Sequence, residues 1–113
     1  MKRLAILGST GSIGTQALDV IARFPEQFSV EALAANGNIE LLERQARQFH
    51  PQMVCVFDPE KAEAFKHLAL PGIAVTHGLE GLNACCRLKD VDMVVVALVG
   101  AIGLAPTLTA VKN

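Results

Sequence analysis

Short apolar runs alternate with amphipathic stretches along the chain. Arg3-Leu4-Ala5-Ile6-Leu7 shows no polar alternation and stops at Gly8, the pattern of a strand buried on both faces of a sheet. Ile13, Ala17, Val20, Ile21 and Phe24 then recur at helical spacing, which predicts a helix with those side chains inward, ended by Pro25. Residues 28–35 read as a second strand, stopped by the turn formers Asn36, Gly37 and Asn38, with Asn38 capping the next helix. That helix sets Ile39, Leu42, Ala46 and Phe49 on one face and the pairs Glu40/Arg44 and Glu43/Arg47 on the solvent side.

Residues 53–57 predict a third strand. Asp58 caps a helix with Pro59 at its first position, running to about Ala69. Pro71-Gly72 turns into a short strand at 73–76, and Leu79, Leu82 and Cys86 repeat at helical spacing to about Leu88. The most apolar strand spans 91–99; Gly100 to Gly103 break it, and Pro106 suits the first turn of a last helix over 104–112. Strand followed by helix, repeated along the chain, predicts an α/β domain: a Rossmann-type doubly wound, mainly parallel sheet with helices on both faces. The same string of elements also admits a flavodoxin-like order or an α+β sandwich; the first loop favours the Rossmann order.

A chain of 113 residues, 51% hydrophobic and 19% charged, can bury one core and is not a disordered or repetitive sequence. Ten Lys and Arg against 11 Asp and Glu leave a net charge of −1, which argues against nucleic acid as a partner. No apolar run approaches the roughly 20 residues that cross a bilayer. Only Leu4 to Leu7 separate the basic start from Gly8, too little for a secretion signal, so a cytoplasmic location is expected. Three cysteines, two of them adjacent, form neither a disulfide framework nor a zinc spacing and read as reduced thiols. Cys55 and Cys86 are expected in the core and Cys85 half exposed. His50, His67 and His77 read as surface or capping residues, and Asp90 with Asp92 as a turn, so neither catalytic residues nor metal ligands are assigned within the chain.

The candidate chemistry lies in Gly8-Ser9-Thr10-Gly11-Ser12-Ile13-Gly14, a G-x-x-G-x-x-G loop between a strand and a helix. Glycines there permit the tight turn, backbone approach to a pyrophosphate and close helix packing, while Thr10 and Ser12 add hydroxyl donors. A plain glycine-rich connection is the alternative. An NAD site places an acid at the end of the second strand; here Glu31 lies mid-strand and the end reads Asn36-Gly37-Asn38, which favours NADPH although no Lys or Arg stands in that turn. Residues 98–103 either line the crevice beside the cofactor or are only a strand-to-helix turn.

The segments LAILGSTGSIGTQALDVIARFPEQFSVEALAA and DVDMVVVALVGAIGLAPTLTAVK resemble the 1-deoxy-D-xylulose 5-phosphate reductoisomerase family, NADPH-dependent enzymes of the methylerythritol phosphate route to isoprenoids. The likeness runs along the whole chain. It implies that Thr10, Gly11, Ser12 and Ile13, together with Asn36, Gly37 and Asn38, bind NADPH. Family members often carry Lys or Arg where this chain has Gly37, which removes a partner for the cofactor's 2′-phosphate. The resemblance further implies that residues 1–113 are the N-terminal NADPH-binding domain of a longer, homodimeric enzyme. Its catalytic residues and its ligands for Mg²⁺, Mn²⁺ or Co²⁺ would lie beyond Asn113, and the chain alone would be inactive. The complete enzyme would convert the small-molecule substrate 1-deoxy-D-xylulose 5-phosphate to 2-C-methyl-D-erythritol 4-phosphate. A stand-alone nucleotide-binding or sensing module, and a fragment of another NAD(P)-dependent dehydrogenase, are the other readings.

Overall fold

A computed structural model of the chain describes residues 1–68 and 70–97. The elements run β1 (Lys2–Leu7), α1 (Ser12–Ala22), β2 (Phe28–Ala35), α2 (Ile39–Phe49), β3 (Met53–Val56), α3 (Pro59–Lys66), β4 (Ala74–His77), α4 (Gly78–Cys86) and β5 (Met93–Val96). All pairings are parallel and the strand order is β4-β3-β2-β1-β5. The chain therefore adds strands outward from β1 as far as β4, then returns to the other side of β1 as β5. This is the Rossmann-type arrangement; a flavodoxin-like order would have put the third strand beside the first.

Each face of the sheet has its own core. Leu4, Ile6, Val30, Leu33, Val54 and Val56 pack beneath Leu18 and Ile21 of α1, Leu42 and Ala46 of α2, and Ala62 and Phe65 of α3. The opposite face is built from Ala5, Leu7, Ala32, Ala34, Cys55 and Val94 and receives Cys85 of α4. Its small side chains let α4 come close: a Cβ on Gly81 would fall 2.8 Å from both Cys55 Sγ and Thr76 Oγ1.

The buried helix faces differ from the predicted ones. In α1 the buried residues are Gly14, Leu18 and Ile21, while Val20 and Phe24 are 51% and 44% exposed. In α4 they are Gly81 and Cys85, so Cys85 is the core thiol and Cys86 the half-buried one, the reverse of the expectation. In both, the buried face follows a glycine at a close contact rather than the larger side chains: Gly81 lies against Cys55 and Thr76 of the sheet, and Gly14 against the backbone of Gly8 and Ser9. Two helices end earlier than predicted, α3 at Lys66 and α4 at Cys86. Strand β5 begins only at Met93. Of the two predicted pairs on α2, Arg47 and Glu43 meet at 2.8 Å. Glu40 and Arg44 form no ion pair among the described residues. The predicted loop at 98–103 and the helix at 104–112 lie outside the described residues.

The amino-terminal edge of the sheet is tied by a polar cluster. Between Leu4 and Ala5 the β1–β2 register shifts, leaving Glu31 as an extra residue on β2. Its carboxylate accepts hydrogen bonds from Ser29 Oγ at 2.7 Å and Gln52 Nε2 at 2.8 Å. Gln52 Nε2 also donates to Asp90 at 2.8 Å, and Arg3 pairs with Asp90 and Asp92. Glu31 is thus mid-strand, as read from the sequence, and committed at the end opposite the glycine loop.

Candidate functional site

Parallel strands bring the glycine loop, the Asn36–Asn38 turn and the Asp58 cap to the carboxyl edge of the sheet. The chain leaves β1 through Gly8, whose φ of +88° is left-handed and favours glycine. The Gly8 and Ser9 N–H groups both donate to the Ala34 carbonyl, at 2.8 and 3.0 Å, and the Gly11 N–H returns to Gly8 O at 3.2 Å. The helix then starts so close to the loop that a Cβ on Gly14 would collide with the Gly8 carbonyl and sit 2.8 Å from Ser9 Cα. Gly11 is less constrained, its nearest contact being Gly8 O at 3.6 Å.

The start of α1 is open to an anion. Its N-cap, Gly11, offers no side-chain acceptor, and no acid stands in the first turn. The leading N–H groups of an α-helix have no intrahelical acceptor and carry the positive end of the helix dipole. Gly11 and Ser12 are exposed, and Thr10 and Ile13 half buried. Among the described residues, neither the Thr10 nor the Ser12 hydroxyl bonds another protein group. Two other helices at this edge are capped by side chains: Asn38 Oδ1 accepts from Leu41 N at 3.3 Å, and Asp58 Oδ1 from Glu60 N at 2.9 Å; α4 has no side-chain cap but carries Glu80 in its first turn.

The turn after β2 adjoins this loop, since Ala34 anchors the loop and Asn36 follows one residue beyond the strand end. Asn36 and Asn38 are exposed and Gly37 half buried. The Asp58 N–H donates to the Asn36 carbonyl at 3.1 Å, joining the turn to the start of α3. All seven residues singled out in the sequence therefore stand at one edge. Phe57, 44% exposed, stands there too.

Two contributors were missed. Gln45, buried in α2, donates from Nε2 to the Ser9 carbonyl at 2.8 Å, bracing the loop from the neighbouring helix. Its Oε1 and the Ser9 hydroxyl are buried without a partner, a pair of polar atoms held against the back of the loop. The available signal was a polar residue directly before Ala46 on an otherwise apolar face. The second is Lys61 of α3, whose Cγ would lie 3.7 Å from a Cβ on Gly37. A tertiary neighbour from a later helix leaves no local trace in the turn.

The described residues hold no group of three His, Cys, Asp or Glu side chains able to take a metal ion. The thiols are not activated: burial raises Cys55 and Cys86 and, with the neighbouring Cys55 and Cys86 thiols, pushes Cys85 up to about 12. His50 and His67 close α2 and α3, and His77 precedes α4, as capping positions. A groove of about 710 Å³ between β4 and α4, lined by Lys66, His77, Glu80 and Arg87 among others, lies away from the glycine loop. No helix among the described residues is long and apolar enough to cross a membrane.

A parallel sheet whose order reverses between β1 and β5, with a glycine loop and an uncapped helix start at the reversal, defines a Rossmann-type α/β domain. The sequence profile of 1-deoxy-D-xylulose 5-phosphate reductoisomerase matches residues 4–113, and the chain belongs to that family. The reductoisomerase of Geotalea uraniireducens is 50% identical over 113 residues, covering 99% of this chain and 29% of the relative. That of Shouchella clausii is 46% identical over 112 residues, covering 99% and 30%. The reductoisomerase from Zymomonas mobilis, solved in complex with NADPH, superposes with a TM-score of 0.81 at 29% identity, over 90% of this chain and 27% of that one. A reductoisomerase with NADPH, fosmidomycin and magnesium gives 0.79 at 34% identity, over 92% and 26%. The chain thus spans under a third of the length of these relatives. Family membership removes the reading as a piece of an unrelated dehydrogenase.

Proposed function

We propose that this chain is the NADPH-binding portion of a 1-deoxy-D-xylulose 5-phosphate reductoisomerase, the whole protein rearranging and reducing that sugar phosphate to 2-C-methyl-D-erythritol 4-phosphate. The observation that carries the reading is the uncapped start of α1 behind a glycine loop at the strand-order reversal. The residues fit the cofactor: Gly14 lets α1 start directly against the Gly8–Ser9 backbone, and the loop presents donors without a competing acid. When bound, NADPH supplies the hydride.

The chain's own residues bind and orient. The first-turn N–H groups of Ser12 and Ile13, with the Thr10 and Ser12 hydroxyls, hold the pyrophosphate, and Gly11 keeps the approach open. Asn36, Gly37 and Asn38 receive the adenosine ribose. Gln45 fixes the loop from behind through the Ser9 carbonyl. The divalent metal and the groups acting on the sugar belong to residues outside this chain, so by itself the chain binds the cofactor without turnover. The complete enzyme is a cytoplasmic homodimer.

Ser12→Asp tests the reading, because it separates folding from binding. An acid at the first position of α1 complements the helix dipole and contributes about 0.3–1 kcal/mol of stability. The same carboxylate repels a pyrophosphate, and calorimetric titration is expected to show NADPH affinity lowered at least about tenfold. Unchanged NADPH affinity in a folded Ser12→Asp chain would overturn the assignment.

A further inference from the structure

The Asn36–Gly37–Asn38 turn has no cationic side chain of its own, yet the cofactor proposed above carries a 2′-phosphate at this place. Gly37 is not required by backbone conformation, since it is absent from the left-handed residues among those described, which are Gly8, Gly72, Gly78 and His50. What Gly37 leaves free is room. The stem of Lys61 runs alongside it, with Cγ 3.7 Å from where a Cβ would be, so the Lys61 methylenes pass the position a side chain at 37 would enter. The Asp58–Asn36 hydrogen bond at 3.1 Å holds the start of α3 against the turn.

Lys61 is also in an unfavourable place for a cation with only a structural role. It lies in the first turn of α3, three residues after the Asp58 cap, where the helix dipole disfavours positive charge. It is exposed, and it forms no ion pair among the described residues. Asp58 forms no ion pair with it among the described residues; the Asp58 carboxylate accepts from the backbone N–H groups of Glu60 and Lys61, at 2.9 and 3.4 Å. An exposed lysine without an ion pair among the described residues, its stem passing the turn proposed to receive the ribose, is suited to a phosphate, to which lysine binds as a point charge.

We propose that Lys61 reads the 2′-phosphate of NADPH from α3, supplying the cation that position 37 lacks and making Lys61 a specificity-determining residue. The inference rests on the cofactor reading above. The test titrates NADPH, NADH and 2′-phospho-ADP-ribose into the protein and its Lys61→Ala, Lys61→Arg and Gly37→Lys/Lys61→Ala variants. Removing one charge-assisted contact is expected to weaken NADPH and 2′-phospho-ADP-ribose about tenfold in Lys61→Ala while NADH is unchanged. Lys61→Arg keeps the preference, and Gly37→Lys restores it in the Lys61→Ala background. Equal losses for NADPH and NADH would assign Lys61 a structural role and overturn the proposal, as would an unaltered preference in Lys61→Ala or equal binding of both nucleotides by the unsubstituted protein. Binding of neither nucleotide by the unsubstituted protein would overturn the cofactor reading together with it.

Discussion

Cys85 and Cys86 are neighbours in sequence, yet the helix turns one into the core and leaves the other at its margin. Burial, ahead of the charges of Cys55 and Cys86, pushes the Cys85 thiol up from 9.0 to about 12. Its folded value lies above its unfolded one, so the contribution of the neutral thiol is complete below about pH 9 and is lost as pH rises through about 12. Denaturant midpoints are therefore expected to fall with pH above 9, less steeply in Cys85→Ala; identical slopes in the two chains would contradict this. Single residues were legible where the backbone itself dictates them. Asn38 and the Asp58-Pro59 pair cap α2 and α3 as read. The places of Gln45 behind Ser9 and of Lys61 beside Gly37 were not legible, because each lies against a segment distant in sequence.

Among the elements, strand and helix identity followed from apolar periodicity, but the buried faces of α1 and α4 did not. Periodicity weighs large apolar side chains, whereas a helix lying close to a sheet needs the smallest residue at the point of contact. Gly81 is that point for α4, Gly14 plays the same part where α1 meets the Gly8–Ser9 backbone, and Leu18 and Cys85 follow them at i+4. Gly81→Ala makes the idea measurable. The added methyl meets Cys55 Sγ and Thr76 Oγ1 at 2.8 Å, and overpacking of this kind costs about 1–3 kcal/mol in denaturant unfolding. Removing the sulfur in Cys55→Ala/Gly81→Ala is expected to recover part of that loss. A neutral Gly81→Ala would mean that α4 stands further from β3 than described. Strand ends were legible only to within a few residues: β5, expected from Val91, begins at Met93.

At the scale of the molecule, the alternation of elements predicted parallel strands, and the loop after β1 selected the Rossmann order over the flavodoxin-like one. The polar ties of Arg3, Glu31, Gln52, Asp90 and Asp92 all lie at the amino-terminal edge. The carboxyl edge keeps the uncapped start of α1, with no acid in its first turn, and the free Thr10 and Ser12 hydroxyls. The division of labour between the two edges, one tied by ion pairs and one left with unmet donors, could be read only once the strands were ordered. The central claim of the proposed function is that the cofactor binds at this carboxyl edge, on the loop after β1 and the turn after β2. Amide chemical-shift mapping of the ¹⁵N-labelled chain during NADPH titration tests this most directly. The largest shifts are expected at Thr10, Gly11, Ser12 and Ile13 and at Asn36, Gly37 and Asn38; shifts confined to the β4–α4 groove around His77 and Arg87, or none, would contradict it.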